Sequence, residues 1–267
     1  MTELITPLIL TFNEAPNLRR TLEKLYWAKR IIIIDSYSTD QTLEIANSYP
    51  VVQVFQRHFD THGSQWNYGL HMVITPWVLS LDADYVLSDE LIEELQNLKP
   101  NSNIDAFSIR FRYCVFGSPL PGSLLPPRVA LFRRDCATYI NDGHTQLLQV
   151  SGKSNMLDGF INHDDRKPLG RWLQSQARYM ALEVEKLNSI PDSSLSLADR
   201  LRKTRILAPL IVLLYCLFIR GCLFAGWAGW YYTLQRVLAE ILLSLYLIEH
   251  QQMRIAKNAE QLREPLS

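Results

Sequence analysis

The chain has 267 residues, a length that suits one sizeable α/β domain with an appendage. Lys plus Arg and Asp plus Glu both number 27, so the formal net charge is zero. This balance leaves no basic footprint of the kind that accompanies nucleic-acid binding, and we expect no nucleic-acid partner. The four cysteines form no CxxC pair, which argues against a metal–thiolate or redox site.

Apolar strands and amphipathic helices alternate through the first part of the chain. No basic leader precedes the apolar run at 5–12, so we interpret it as a strand rather than a signal peptide and expect the catalytic part in the cytosol. Similar apolar runs predict strands at 31–34, 51–55 and 77–81. Helices are predicted to start at Asn13–Pro16, to start at Ser38–Gln41, and to run through Trp66–Ile74. This order predicts an α/β fold with a mostly parallel sheet and helices on both faces, in which ligands bind beyond the carboxyl ends of the strands.

The second half of the chain has a different character. Alternating apolar and polar residues predict a half-exposed strand at 107–113, and short strands are predicted at 129–132 and 146–150. An amphipathic helix is predicted over 169–187. We therefore expect a catalytic domain at 1–165, an amphipathic helix and linker at 166–199, a basic and apolar helical region at 200–248, and a polar tail at 249–267.

Acidic side chains stand directly after two of the predicted strands. Asp82 and Asp84 flank one small residue after the fourth strand, and two carboxylates so placed can reach one hard cation. Mg²⁺ and Mn²⁺ take oxygen ligands and keep substrate phosphates in their shell, so such a pair is typical of diphosphate chemistry. Asp35 follows four isoleucines, either as a turn cap or as an acceptor for a nucleotide base or ribose. Helix capping and ligand binding are likewise both open for Asn13, Glu14 and Asp40.

Four ordered motifs make the first part of the chain similar to a known family. They are Leu-Thr-Phe-Asn-Glu at 10–14, Ile-Asp-Ser-Tyr-Ser-Thr-Asp-Gln-Thr at 34–42, Gln-Trp-Asn-Tyr-Gly-Leu at 65–70 and Leu-Ser-Leu-Asp-Ala-Asp at 79–84. The series resembles the inverting nucleotide-sugar glycosyltransferases of family 2, which have the Rossmann-like GT-A fold. Within that family it is most similar to the branch of lipopolysaccharide-core β-glucosyltransferases. The resemblance is strong over residues 5–95 and looser to residue 165.

The resemblance implies a role for each matching residue. The nucleotide-sugar pocket would be lined by Thr11, Asn13, Glu14, Asp35, Ser38, Asp40, Gln65, Asn67 and Asp82. Within this set Asp35 would hold the base. Asp82 and Asp84 would bind Mg²⁺ or Mn²⁺ together with the donor diphosphate. Relatives often carry a further acid where this chain has Tyr85, so donor preference or metal geometry is expected to differ here.

Two further segments carry candidate catalytic groups. An inverting transfer needs a base for the proton of the acceptor hydroxyl, and the family's acidic residue in this region favours Asp142. His144 competes with Asp142, since the unperturbed pKa of histidine suits proton transfer near neutral pH. A plain Asn-Asp-Gly hairpin turn is the structural alternative. His163 is a candidate for the metal shell, with an ordinary loop histidine as its alternative.

Two apolar runs, at 206–219 and 221–234, follow a basic cluster. Each run is about 14 residues long, fewer than the roughly 20 that a helix needs to span a bilayer. We predict that they form an apolar helical hairpin. The cluster of Arg200, Arg202, Lys203 and Arg205 beside aromatic-rich helices favours shallow docking on an anionic membrane, at its cytoplasmic face. A hairpin buried against protein is the alternative.

These features predict an enzyme, an inverting hexosyltransferase that moves a sugar from a nucleotide-sugar donor to a glycan or glycolipid acceptor of the cell envelope. One alternative is a synthase that glycosylates a polyprenyl phosphate, an acceptor that is already an anion and needs little base catalysis. Another is a sugar-nucleotide-binding subunit without activity, against which Asp82, Asp84 and Asp142 argue. A nucleotidyltransferase would need a Gly-rich, basic phosphate loop, and residues 10–20 show none.

Overall fold

A computed structural model describes residues 2–99, 103–122, 126–142 and 145–261. The chain divides into two compact units, Met1–Lys167 (the N-terminal unit) and Pro168–Ser267 (the C-terminal unit). For Asp142, Thr145 and 258–261 only the backbone is described.

The first four strands of the N-terminal unit are parallel neighbours. They are β1 (Ile5–Thr11), β2 (Ile31–Asp35), β3 (Val52–Gln56) and β4 (Trp77–Asp82), and they lie in the order β3-β2-β1-β4. Ile31 and Ile33 pack into one buried cluster, and Ile32 and Ile34 pack into a second. Because successive side chains of a strand point to opposite faces, β2 is buried on both faces, as predicted.

The later strands make the sheet mixed. They are β5 (Tyr85–Leu87), β6 (Ala106–Val115), β7 (Ser118–Pro119), β8 (Arg128–Arg133) and β11 (Ser154–His163), while β9 (Ala137–Asp142) and β10 (Thr145–Val150) form a separate antiparallel pair. Beyond β4 the order is β8-β6-β11-β5, and β8 is antiparallel to both of its neighbours. The prediction of a mostly parallel sheet is therefore wrong beyond β4. No helix among the described residues links β6 to β8, and parallel neighbours need such a crossover.

Four helices of the N-terminal unit cover the sheet. They are α1 (Leu18–Glu23), α2 (Thr42–Asn47), α3 (His62–Met72) and α4 (Asp89–Asn97). Residues of α1, α2 and α4 pack with Ile31 and Ile33, and residues of α3 pack with Ile32 and Ile34. The prediction of helices on both faces is thus confirmed.

Two predicted helix starts are wrong. The first helix begins at Leu18 rather than at Asn13–Pro16, and the second begins at Thr42 without a side-chain cap from Gln41. The expected capping box at Ser38–Gln41 does not form, because the Ser38 hydroxyl donates a hydrogen bond to Asp35 instead. Polar residues at both places therefore serve the loops that follow the strands.

The C-terminal unit is helical throughout its regular segments. It contains α5 (Leu169–Ser189), α6 (Leu197–Lys203), α7 (Leu207–Leu214), a π turn (Tyr215–Ile219), a 3-10 turn (Cys222–Phe224) and α8 (Gly226–Gln261). Met180, Val184 and Leu187 of α5 form a buried cluster with Leu243 and Leu247 of α8. Helix α8 continues well into the segment predicted as a polar tail. Within the described ranges, no helix is both long and apolar enough to cross a membrane.

Candidate active site

The carboxyl ends of β1, β2 and β4 bring three predicted site residues side by side. Thr11 pairs with Asp35 in the register of β1 and β2, and Asp82 pairs with Leu10 in the register of β1 and β4. Because these strands are parallel, the three residues lie at one edge of the sheet. This edge is the place where the sequence predicts the nucleotide-sugar pocket, and it is the candidate active site.

Asp35 is fully buried at the start of the loop that follows β2. Its Oδ1 accepts hydrogen bonds from the hydroxyls of Thr11, at 2.9 Å, and Ser38. Its Oδ2 accepts from the Ser38 amide at 2.9 Å and from Gln56 Nε2 at 3.3 Å. A buried carboxylate with four donors is satisfied, so Asp35 fixes the shape of this loop. Direct contact with a nucleotide base, the prediction for Asp35, would require one of these donors to leave.

Side-chain hydrogen bonds join the loops that follow β1 and β2. Asn13 has a left-handed backbone with φ of 55°, a conformation in which asparagine is enriched. Its Oδ1 accepts from the amides of Thr39 at 2.7 Å and Asp40 at 3.3 Å. In return, the Ser38 hydroxyl accepts from the Asn13 amide at 2.7 Å, and the Asp40 carboxylate accepts from the Ala15 amide at 3.2 Å. The structure thus brings Asn13, Ser38 and Asp40 together as the frame of the site.

Helix α3 carries two predicted residues with different surroundings. The buried Gln65 accepts from Arg57 Nη1 at 2.5 Å and donates to the Ser36 hydroxyl at 3.0 Å, so it ties together the loops after β2 and β3. Asn67 donates to the Tyr139 carbonyl at 2.8 Å and accepts from the Tyr139 amide at 2.9 Å. The amide of Asn67 therefore holds β9, whereas Gln65 belongs to the loops of the site.

The buried Asp84 and the partly buried His163 form a pair beside Asp82. The His163 Nε2 atom lies 3.1 Å from Asp84 Oδ2. Burial opposes the charge of Asp84, but the charge and hydrogen bond of His163 outweigh it and lower the pKa of Asp84 to about 2. For Asp82, burial and the charge of Asp84 raise the pKa, against the attraction of His163 and a hydrogen bond from Tyr85. The pKa values of the two carboxylates are therefore shifted in opposite directions, downward for Asp84 and upward for Asp82.

Glu14 and Lys167 form a second ion pair at this edge. Lys167 Nζ lies 2.7 Å from Glu14 Oε1 and 3.6 Å from Asp165 Oδ1. Burial and the charge of Asp84 raise the pKa of Glu14 to about 7, although Lys167 lowers it. Burial acts to lower the pKa of Lys167, but the charges of Glu14 and Asp84 outweigh it and raise this pKa. Lys167 is thus a retained cation among the carboxylates.

Sequence reasoning missed the basic residues of this edge. Asp164 is buried and accepts from Arg20 Nη1 at 2.8 Å and Arg166 Nε at 2.9 Å, while its other oxygen accepts from the Gly117 amide at 3.0 Å. Together with Lys167, the two arginines place three cations near the acidic residues. The run His163–Lys167, with two acids followed by two bases after a strand, was the available sequence signal.

The predicted catalytic base ends β9. Asp142 pairs with Thr145 across the β9–β10 hairpin, so the hairpin expected from Asn-Asp-Gly is present. The side chain of Asp142, and Gly143 and His144 as a whole, lie outside the described residues. The start of α3 fixes the end of β9, because the Gly63 amide donates to Asn141 Oδ1 at 3.0 Å. A Cβ at Gly63 would lie 2.8 Å from that oxygen.

Asp82 and Asp84 are the candidate metal ligands of this edge. Among the described residues no three or more His, Cys, Asp or Glu side chains are grouped to hold one ion. Asp84 Oδ1 and His163 Nδ1, however, are buried without a hydrogen-bond partner in that part of the chain. An unpaired carboxylate oxygen fits a hard cation whose other ligands come from a diphosphate and water. Asp84 therefore fits a metal that is shared with a substrate, and Asp82, two residues before it, is the candidate second ligand.

Comparison with known proteins gives the family. The model of glycosyl transferase family 2 matches residues 8–144, which include the edge of the sheet described above. The chain belongs to glycosyl transferase family 2, and its mixed sheet with helices is an α/β fold of the GT-A type.

Curated relatives and solved structures are similar to parts of the chain. The uncharacterized glycosyltransferase RP128 of Rickettsia prowazekii is 25% identical over 174 residues, 60% of this chain and 59% of the relative. The uncharacterized glycosyltransferase RC0292 of Rickettsia conorii is 31% identical over 108 residues, 40% of this chain and 38% of the relative. The chain thus spans less than two thirds of either relative.

Two solved structures align with this chain at TM-scores of 0.49 and 0.44. S. aureus TarS 1-349 in complex with UDP-GlcNAc has a TM-score of 0.49 and 15% identity, over 80% of this chain and 73% of that one. Glucosyl-3-phosphoglycerate synthase from Mycobacterium tuberculosis, in complex with Mn²⁺, UDP and phosphoglyceric acid, has a TM-score of 0.44 and 15% identity, over 73% of this chain and 82% of that one.

Proposed function

We propose that this protein is an inverting hexosyltransferase that moves a sugar from a nucleotide-sugar to a glycan or glycolipid of the cell envelope, with Mg²⁺ or Mn²⁺. One observation carries the proposal. Thr11, Asp35 and Asp82 lie together at the carboxyl edge of parallel strands, inside the segment that matches the family. Ligands of open α/β sheets bind at such edges.

The residues of the edge suit the two halves of a nucleotide-sugar. The loops framed by Asn13, Ser38 and Asp40 are rigidly joined and would receive the base and ribose. The diphosphate would lie toward Asp84 and Lys167, where acids and cations alternate. Asp82 and Asp84 would hold the metal, which when bound neutralises the developing charge of the diphosphate leaving group.

The transfer itself would be a single displacement. The acceptor oxygen attacks the anomeric carbon opposite the diphosphate, its new C–O bond forms, and the bond from that carbon to the diphosphate oxygen breaks. The nucleoside diphosphate leaves with the electron pair. Asp142 takes the proton of the acceptor hydroxyl, as a general base should. The hydrogen bonds from α3 to Asn141 and Tyr139 support this role, because they fix the strand that ends at Asp142.

The proposal is tested by incubating the protein with a panel of nucleotide-sugars and Mn²⁺ and measuring the release of nucleoside diphosphate. We expect slow release with at least one donor, and faster release once a suitable acceptor is added. A protein that binds a donor without releasing diphosphate would instead be the inactive binding subunit. Release that is stimulated by a polyprenyl phosphate, but by no sugar hydroxyl, would identify the synthase alternative.

We also propose that the C-terminal unit docks the enzyme on an anionic membrane at its cytoplasmic face. The segment 206–234 exposes large apolar side chains, including Ile206 at 73%, Ile219 at 71% and Phe224 at 88%. Exposed apolar surface of this kind marks interaction sites, and aromatic residues suit the membrane interface. Docking of this kind would place the enzyme beside a glycolipid acceptor.

A further inference from the structure

The predicted basic cluster before the apolar segment is largely engaged within the C-terminal unit. Arg202 forms an ion pair with Glu240 at 3.2 Å, and Arg200 donates to two backbone carbonyls at 3.1 Å. Lys203 pairs with an exposed aspartate. The Arg205 guanidinium differs from these, because it forms no hydrogen bond or ion pair with a described residue and its Nε is buried. The cluster is therefore not a uniform basic stripe, and its available charge lies at Arg205.

A cavity of about 460 Å³ lies beside Arg205 within the C-terminal unit. Its cationic and imidazole side chains are Lys203, Arg205, His250 and Arg254, and none of its described lining residues is acidic. The volume falls within the range of small-molecule pockets, about 300–1,000 Å³. A pocket of this composition fits a compact anion with an attached polar group.

The backbone holds Arg205 in an unusual conformation at the cavity. Its φ is 64°, in the left-handed region that side chains other than glycine, asparagine and aspartate seldom adopt. The Ser244 hydroxyl of α8 donates to the Arg205 carbonyl at 2.6 Å and fixes this turn. Backbone strain that the surroundings maintain is common at ligand sites. Here it accompanies a buried guanidinium nitrogen for which the described part of the chain offers no acceptor.

His250 is also set up to donate a hydrogen bond. Asn188 Nδ2, which donates to the Val184 carbonyl at 2.9 Å, lies 3.4 Å from His250 Nδ1. An amide donor beside Nδ1 favours the tautomer that carries its proton on Nε2. With Arg205, the cavity then offers a guanidinium and an imidazole N–H, both of which suit phosphate oxygens.

We propose that this cavity binds the phosphate group of an anionic membrane lipid. The apolar segment begins directly after Arg205, with Ile206 73% and Leu207 50% exposed. The lipid headgroup phosphate would bind in the basic cavity, and the acyl chains would contact the exposed apolar segment. The inference rests on the proposed membrane docking and adds a defined headgroup site to it.

The test uses the full chain and vesicle sedimentation. The vesicles contain phosphatidylcholine alone, phosphatidylcholine with phosphatidate, or phosphatidylcholine with phosphatidylglycerol at the same surface charge. Arg205→Gln with Arg254→Gln is expected to weaken binding to both anionic vesicles by about 10- to 30-fold, from roughly 1 kcal/mol for each basic residue at the surface. Binding to phosphatidylcholine alone should be unchanged. Arg205→Lys, which keeps the charge, should recover part of the loss.

The matched control is Arg178→Gln, which removes one charge from an exposed position of α5 outside the cavity. It should change vesicle binding by less than about twofold, because Arg178 lies outside the proposed headgroup site and the attraction of a charge to an anionic leaflet falls off within a Debye length. An equal loss for Arg178→Gln and Arg205→Gln would assign the effect to the general field and overturn the headgroup site. Indifference of anionic vesicle binding to the double variant would also overturn it.

The two proposals fail in different ways. If the wild-type protein sediments with none of the vesicles, the proposed docking is wrong and the lipid assignment fails with it. If inorganic phosphate binds in calorimetry and Arg205→Gln abolishes that binding, while anionic vesicles stay indifferent to the variant, the cavity takes a free anion and the lipid source is excluded. We expect Arg205→Gln to weaken the binding of inorganic phosphate in calorimetry and the binding of anionic vesicles in sedimentation.

Discussion

The two units of this chain differ in how their functional side chains are paired and exposed. In the N-terminal unit the polar side chains of the candidate site are largely paired with one another, and the buried Asp35 alone accepts four hydrogen bonds. Among the described residues, the buried Asp84 Oδ1 is an exception, because it has no hydrogen-bond partner there. In the C-terminal unit large apolar side chains are exposed, and the buried Nε of the Arg205 guanidinium has no hydrogen-bond partner among the described residues. We propose that the first unit holds a preorganised site for chemistry and that the second presents a surface to a partner.

The largest expected effect concerns the base. Asp142→Asn keeps the size of the side chain but cannot accept a proton, so it should lower kcat by about 10²–10⁴-fold in steady-state assays. Donor affinity and melting temperature should stay near those of the wild-type enzyme. Asp135→Asn, an exposed acid that pairs with Arg134, is the matched control and should keep its activity. A stable Asp142→Asn enzyme with normal turnover would transfer the role to His144, or point to a phosphate acceptor that needs no base.

The next effect concerns the carboxylate pair. Asp84→Asn removes the anion on which the metal proposal depends, and transfer should fall by at least about 100-fold, since such an ion contributes several kcal/mol to the barrier. Excess chelator should give a similar loss in the wild-type enzyme, and Mn²⁺ or Mg²⁺ should restore activity. Asp89→Asn, whose carboxylate is 82% exposed, is the control and should leave transfer unchanged. Full activity in excess chelator would contradict a metal role.

The third prediction sharpens the role of Asp35. Asp35→Ala removes the acceptor of four hydrogen bonds, one of them from the buried Thr11 hydroxyl, so the free energy of unfolding should fall by about 1–3 kcal/mol in urea titrations. Nucleotide affinity should fall too, because the loop that frames the base pocket loses its shape. Unchanged stability with a loss of nucleotide binding would instead favour direct contact between Asp35 and the base.

The smallest effect belongs to the C-terminal unit. Phe224→Ser removes an exposed side chain that would enter the membrane at shallow depth, and vesicle affinity should fall by about tenfold, which corresponds to the lower end of the roughly 1.5–3 kcal/mol for full burial of such a side chain. Glycosyl transfer to a soluble acceptor should stay normal. Loss of folding, or of self-association in sedimentation analysis, would show that this surface packs on protein.

Local patterns predicted the first half of the fold well. Each acid lies at the end of its own apolar strand in the sequence, Asp35 in β2 and Asp82 in β4. Because neighbouring parallel strands bring their carboxyl ends to one edge of the sheet, the position of these acids could be predicted from the local sequence. The antiparallel insertion of β8 was not predictable in this way, because it depends on pairing between distant segments. The capping motif that starts at Ser38 also gave a wrong helix start, since the Ser38 hydroxyl donates to the buried Asp35.

The sequence predicted the acidic residues of the candidate site but not its basic residues. Lys167 meets Glu14, and Arg20 meets Asp164, across more than half of the chain, and no spacing rule connects them. The buried state of Asp35 was equally hidden, because sequence alone does not reveal how many donors a carboxylate receives. Similarly, the sequence does not distinguish the basic residues at 200–205. The structure does, because Arg202 forms an ion pair with Glu240 and the Arg205 guanidinium has no such pair among the described residues.

The central claim, that the edge formed by β1, β2 and β4 is a nucleotide-sugar site, is tested most directly by calorimetric titration of nucleotide-sugars in the presence of Mn²⁺. The account predicts that at least one donor binds the wild-type protein, that Asp84→Asn abolishes or strongly weakens this binding, and that Arg205→Gln in the other unit leaves it unchanged. Binding that is equally strong in Asp84→Asn, or the absence of binding for every donor, would contradict it.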